Sequence, residues 1–228
     1  MARRALSEKL PLLAASFAAA LAFYYLRWTA FPELYLIPVK GAAIGLLALY
    51  LWLRHSSPDA RLMAWAFGVA MLGDMAMEIE TDRLFGGLLF FGYHLMAMAV
   101  YLRNRRPELA TSQKATVVAL LFLTPMIGWQ LPYDQEQATS VGVYSLALGA
   151  MAASAWASAF PRYRVGAGAA LFVVSDLLLF AEMGPLQASV VPQVLVWPLY
   201  YLAQFLIAVG IVQTLRKRDP ELKIVVNN

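Results

Sequence analysis

Tyr163-Arg164-Val165-Gly166-Ala167-Gly168-Ala169-Ala170-Leu171-Phe172-Val173-Val174-Ser175-Asp176-Leu177-Leu178-Leu179-Phe180-Ala181-Glu182-Met183 carries three charged residues, and only Asp176 falls inside the run. Arg164 and Glu182 stand next to its ends. A hydrocarbon core about 30 Å thick takes roughly 20 mostly apolar residues to cross as a helix. The stretch therefore reads as a membrane-spanning helix with a carboxylate inside it. An ionisable group at such depth costs at least ~2.5 kcal/mol on insertion scales and marks a functional site by default.

Seven further stretches read in the same way: Leu10–Trp28, Leu34–Leu53, Ala60–Ile79, Leu84–Leu102, Lys114–Leu131, Thr139–Ala159 and Val190–Gln213. The composition agrees. The chain is 61% hydrophobic and 14% charged, with a mean hydropathy of +0.62, whereas soluble domains run near 45–50% apolar and about 25% charged. Eight spans within 228 residues leave no room for a second folded domain, so any chemistry sits in or beside the membrane. The expected fold is all-α, a single integral membrane bundle of eight transmembrane helices joined by short connections. Six tryptophans, 14 glycines and 12 prolines fit membrane helices and their interfacial belts. With no cysteine, disulfides, thiolate catalysis and sulfur-ligated metals are excluded.

Basic residues test the count. With the N-terminus inside, the inner segments hold Arg3, Arg4, Lys9, Arg54, Arg61, Arg103, Arg105, Arg106, Lys114, Arg162, Arg164, Arg216, Lys217, Arg218 and Lys223, which is 15 of the 18. Arg27 and Arg83 fall outside, and Lys40 lies within a span. A missed or extra helix would scramble this alternation, so both termini are expected to be cytoplasmic, in the inner membrane of a bacterium. Met1–Lys9 followed by an apolar run and Ala20-Leu21-Ala22 imitates a signal peptide. The apolar stretch continues through Tyr25 without a polar break, so it reads as a retained first span.

Five spans carry polar groups at depth: Lys40 on the second, Asp74 and Glu78 on the third, and His94 on the fourth. Asp176 with Ser175 lies on the seventh, and Tyr200, Tyr201 and Gln204 lie on the eighth. Asp74 is 13 residues past Arg61 and Asp176 is 12 past Arg164, so both carboxylates lie roughly 18–20 Å above the inner interface. Lys40, seven residues past Glu33, is roughly 10 Å below the outer one. Lys40 also reads as a snorkelling residue, His94 as an interior hydrogen-bonder, and the tyrosines as packing residues. A pure packing role is weakest for the aspartates, because small Gly73 and Ser175 precede them and apolar turns surround both. Two carboxylates buried together do not both stay ionised; one holds a proton and the other a charge, an acid and a base at neutral pH. Lys40 keeps the charged one ionised. This pattern suits metal-free acid–base hydrolysis.

Several segments resemble the YhhN family, the transmembrane lysoplasmalogenases. Leu72-Gly73-Asp74 is similar to its third-helix motif, and Gly86, Phe90 and His94 resemble its fourth-helix stripe. Gly168-Ala169-Ala170-Leu171-Phe172-Val173-Val174-Ser175-Asp176 is the most specific match. Tyr201-Leu202-Ala203-Gln204-Phe205-Leu206-Ile207 resembles the last-helix motif, and Tyr144 with Met151 fits the sixth. The matches run in order from Lys40 to Ile207. Two positions depart from the family pattern: Gly41 stands where proline usually follows the lysine, and Ala97 replaces a tyrosine, with Tyr101 one turn later.

The resemblance implies hydrolysis of the vinyl ether bond of lysoplasmalogens, releasing a fatty aldehyde and glycerophosphoethanolamine or glycerophosphocholine. Asp74 and Asp176 become the catalytic pair. Lys40 tunes the pair or contacts the phosphate. Glu78, His94, Tyr144, Ser175, Tyr200, Tyr201 and Gln204 are candidates for holding the substrate or water. The expected partners are a lysophospholipid and membrane lipid; no cofactor, metal, nucleic acid or obligate protein partner is expected. Other classes compete. A proton-coupled transporter also buries carboxylates, and aspartates on the third and seventh spans hint at a 4+4 repeat. An intramembrane aspartyl protease needs Gly-x-Gly-Asp and Tyr-Asp pairs, a zinc amidase needs more histidines, and a retinal protein needs a lysine on the last helices. Each of these signatures is absent.

Overall fold

Within hydrocarbon, a backbone satisfies its own hydrogen bonds only as helix or closed barrel, and these apolar runs become helices. The computed structural model describes residues 10–79 and 84–218. Among them the chain forms α1 (Leu10–Leu26), α2 (Glu33–Arg54), α3 (Pro58–Ile79), α4 (Leu84–Arg103), α5 (Thr111–Gln130), α6 (Gln135–Ala157), α7 (Ala167–Ala181) and α8 (Val190–Arg218). A π-helical segment, Arg162–Gly166, leads into α7. Six helices are long and apolar enough to cross a membrane: α2, α3, α4, α6, the continuous Arg162–Ala181 and α8. The chain is thus built as an integral membrane protein. α1 is shorter, at 17 residues, and α5, which opens on Thr111-Ser112-Gln113-Lys114, is not among the six. Arg3, Arg4, Lys9, Arg83 and Lys223 of the charge alternation lie outside the described residues.

Most expected boundaries shift by one to five residues, and three of the shifts show their setting. α1 stops at Leu26 rather than Trp28, because the Trp28 and Thr29 N–H groups bond Tyr25 and Leu26 carbonyls and wind the chain into a tight turn. Thr29 Oγ1 donates to the Leu26 carbonyl at 2.7 Å and closes it. α7 proper begins only at Ala167, after the π-helical turn. α8 continues five residues past Gln213, ending on Arg216, Lys217 and Arg218, cations that suit the negative pole of a helix C-terminus.

Hydrogen bonds at the two ends fix the direction of the helices. Asn104, just past α4, donates to Asp59 Oδ2 at 2.7 Å at the start of α3. It also accepts from Arg218 of α8 at 2.6 Å. Its carbonyl takes the Ala159 N–H beyond α6 at 2.7 Å. This basic end therefore gathers the start of α3 with the ends of α4, α6 and α8. At the other end, the Tyr133 N–H before α6 reaches the Met183 carbonyl after α7 at 3.1 Å, and Asp134 caps α6 by accepting from the Glu136 and Gln137 N–H groups.

α2, α3, α4, α6, α7 and α8 close a ring in which each packs on the next, while α3 also meets α8. α1 lies outside across α2 and α8, and α5 lies outside across α6 and α7. Association inside lipid gains little from the hydrophobic effect and depends on close packing. Two crossings show this. A β-carbon on Gly73 would lie 3.1 Å from the Phe90 ring, and one on Gly168 would lie 2.9 Å from the Ala203 carbonyl oxygen. Both glycines bring an aspartate-bearing helix against its partner, α3 against α4 and α7 against α8. The ring's interior is aromatic, with Phe67, Tyr93 and Phe172 fully buried.

Candidate active site

Asp74 lies five residues before the last residue of α3, and Asp176 lies five before the last residue of α7. Each is about 8 Å below the end of the bundle opposite the basic one. The two aspartates thus stand at matching distances from that end. Both carboxylates are buried, at 2% and 6% exposure, so their partners decide what they can do.

Asp74 accepts a hydrogen bond from the Tyr200 hydroxyl of α8 at 2.7 Å. Lys40 of α2 stands 3.9 Å from its Oδ1 and pairs more closely with Glu78, at 2.7 Å. The ammonium also lies 5.3 Å from the Phe23 ring centroid and 5.6 Å from that of Trp197, so aromatic faces complete its surroundings. Lys40 does not snorkel; two carboxylates and two rings hold it inside.

Asp176 is built differently. The Tyr144 hydroxyl of α6 donates to its Oδ2 at 2.8 Å, and the same hydroxyl is 2.9 Å from His94 Nε2 of α4. A phenol has one proton, and it goes to Oδ2 of Asp176, so His94 Nε2 is the donor to the phenol oxygen. Asp176 Oδ2 lies 4.0 Å from His94 Nε2. Among the described residues, His94 Nδ1 is buried without a hydrogen-bond partner.

The two halves meet through rings. Phe172 lies 5.1 Å from His94 and 5.1 Å from Tyr200, centroid to centroid, and so stands between a partner of Asp176 and a partner of Asp74. Phe90 packs edge-on to Phe172 and Tyr200. Gln204 is satisfied on both ends: Tyr93 donates to its Oε1 at 2.8 Å, and its Nε2 donates to Tyr200 at 3.3 Å. It fixes the phenol that serves Asp74.

Two candidates point elsewhere. Ser175 donates to the Val196 carbonyl at 2.9 Å and ties α7 to α8. Tyr201 reaches α1, 2.9 Å from Ser16 Oγ, which itself donates to the Ala43 carbonyl. Adjacent helical residues point about 100° apart, so Asp176 and Tyr200 face inward while their neighbours serve the seams between helices. Two residues of the site are not singled out by the sequence. Tyr93 holds Gln204, and its only signal is a hydroxyl within an apolar run. Phe172 lies inside the quoted α7 motif without an assigned role. Tyr101 packs on Phe160 toward the basic end and does not replace the tyrosine expected at Ala97. Gly41 has a packing reason: a β-carbon there would come within 2.8 Å of Met75.

The arrangement repeats. Each aspartate takes one partner from the helix preceding its own, Lys40 of α2 or Tyr144 of α6. The other comes from the helix that follows the opposite aspartate, Tyr200 of α8 or His94 of α4. His94 follows Asp74 by 20 residues and Tyr200 follows Asp176 by 24, a difference of about one helical turn. Among the described residues, no three His, Asp or Glu side chains are grouped to hold a metal ion.

No curated protein and no solved structure matches the chain. The family model of the YhhN family matches residues 35–211, most of the chain and the whole stretch from Lys40 to Gln204, and the chain belongs to that family.

Proposed function

We propose that this member of the YhhN family is a lysoplasmalogenase, hydrolysing the vinyl ether bond of single-chain plasmalogens by acid–base catalysis within the membrane. The observation that carries the reading is the difference between the two buried carboxylates. Lys40 faces Asp74, whereas among the described residues a phenol and an imidazole serve Asp176 and no cation faces it. Asp74 is accordingly the carboxylate and Asp176 the proton-bearing acid.

The reaction then balances. Asp176 delivers its proton to the alkene carbon remote from the ether oxygen, leaving an oxocarbenium ion. Asp74 stabilises that cation and takes a proton from the water that adds to it. The resulting hemiacetal collapses as Asp176 takes its hydroxyl proton and Asp74 returns a proton to the departing glycerol oxygen, which gives a fatty aldehyde and glycerophosphoethanolamine or glycerophosphocholine and restores both groups. Tyr144 and His94 hold Asp176, Tyr200 and Gln204 hold Asp74, and Lys40 with Glu78 completes the charged side. The wider reading has eight membrane crossings, including α1 and α5, with both termini cytoplasmic in a bacterial inner membrane.

The test compares three lipids: a lysoplasmenyl phospholipid, its acyl counterpart and its saturated alkyl ether. Aldehyde is expected from the first alone, carrying one carbon-bound deuterium when the reaction runs in D2O. Cleavage of the acyl lipid alone would replace the assignment with another lipid hydrolase. The repeated arrangement about the two aspartates favours a second reading, a small proton-coupled transporter. Proton or solute flux into liposomes that depends on Asp74, without lipid turnover, would establish it.

A further inference from the structure

An apolar trough runs between α1 and α8 on the membrane-facing side, with a volume of about 430 Å³. Phe17, Leu21 and Tyr24 line it from α1, and Trp197, Tyr201 and Phe205 from α8; among the described residues, no charged side chain lines it. Phe17 and Leu21 are 51% and 41% exposed. From Phe17 to Tyr25 the trough follows α1 for about 12 Å.

Its deep wall adjoins the carboxylate site. The Trp197 indole donates to the Ala20 carbonyl at 3.0 Å, and its ring lies 4.6 Å from Phe23 and 5.7 Å from Tyr200, the donor to Asp74. One aromatic layer therefore separates the trough from Asp74 and Lys40. Beyond the end of α1, Arg27 lies 5.9 Å from the same Phe23 ring that Lys40 faces. Among the described residues, no carboxylate pairs with Arg27. The wall of the trough at Tyr25 thus lies two residues before a cation, Arg27, while Lys40 is held by Glu78 and Asp74 behind the aromatic layer. That distribution is complementary to one hydrocarbon chain carrying an anionic phosphodiester.

We infer that the α1–α8 trough binds the hydrocarbon chain of a single-chain phospholipid, with Arg27 taking the phosphate and Trp197 standing between the docked chain and Asp74. The inference rests on the lipid-hydrolase reading and gives its substrate a docking place beside the site, outside the aromatic layer that it must pass to reach the carboxylates. A single trough holds one chain; a diacyl lipid would leave its second chain outside.

The test uses full-length protein in vesicles of diacyl phosphatidylcholine. The probe is an alkyl-ether lysophospholipid, which the vinyl ether reaction does not consume, with a photoactivatable diazirine on its chain. Label is expected on residues 17–25 and 197–205, and excess unlabelled alkyl-ether lysophospholipid should displace it while added diacyl lipid should not. Leu21→Trp with Leu202→Trp, both facing lipid, should fill the trough and cut labelling about tenfold, the effect of losing roughly two methylenes of burial. Arg27→Gln should weaken competition by the lysophospholipid about tenfold, as for one lost charge-assisted hydrogen bond. Competition by a long-chain fatty alcohol should be unchanged. Label that lysolipid does not displace is ordinary surrounding lipid and overturns the inference, as does unchanged labelling of the filled variant. Displaceable label in the trough without aldehyde release would overturn the hydrolase reading alone. Aldehyde release with label elsewhere would overturn the trough alone.

Discussion

The Tyr144 hydroxyl donates to Asp176 Oδ2 at 2.8 Å while standing 2.9 Å from His94 Nε2, so one phenol orients the acid and occupies the imidazole. Tyr144→Phe removes both contacts without changing the ring's packing on Phe180. It leaves His94 Nε2–H buried and unpaired, a cost of about 1–3 kcal/mol. The expected result is a fall in kcat of about tenfold or more, with KM little changed and a modest loss of thermal stability in detergent. Steady-state kinetics and a melting curve on the same preparation check it.

Lys40 and Glu78 form the closest ion pair of the site, at 2.7 Å, but Lys40 is the better buried, at 12% side-chain exposure against 28%. Lys40→Met strips Asp74 of its facing cation, and kcat should fall about 10²-fold. Glu78→Gln leaves Lys40 facing Asp74 and should cost only a few-fold. Equal losses in the two variants, measured as aldehyde release, would show that the pair matters as a unit rather than through Asp74.

Much of this site is legible from sequence because ionisable groups are rare in apolar runs. Lys40, Asp74, Glu78, His94 and Asp176 stand out for that reason, and counting rise per residue puts both aspartates at one level. The rotational setting is not legible. Tyr200 and Tyr201 lie in a helix apolar on all sides, with no polar face to say which points inward, and the same holds for Ser175 beside Asp176. Nor does the sequence reveal that α4 packs on α6 while α5 lies outside. That arrangement depends on close approaches between helices distant in sequence, and it is what brings His94 to Tyr144.

Gly73 lets α4 approach α3 beside Asp74. Gly73→Val places methyl groups where the Phe90 ring already lies, 3.1 Å from the added β-carbon, and should push α4 with His94 out of register. Activity should be lost along with several degrees of thermal stability. Gly87→Ala is the control, since nothing lies within 4 Å of its β-carbon, and it should behave as wild type in both assays.

Asn104 joins four helix ends far from the aspartates. Asn104→Ala removes its bonds to Asp59 and Arg218 and should cost about 1–3 kcal/mol of stability while kcat at low temperature stays near wild type. Thermal inactivation half-life compared with initial rate separates the two effects. An equal loss in both would mean that the basic end is coupled to the chemistry.

The central claim is that Asp74 and Asp176 act as one acid–base pair, and aldehyde release by Asp74→Asn and Asp176→Asn tests it most directly. Asparagine keeps the size and the acceptor oxygen for Tyr200 or Tyr144, so both variants should elute and melt as folded protein. The account predicts no measurable turnover of lysoplasmenyl lipid by either. Near-wild-type turnover by one of them would contradict it.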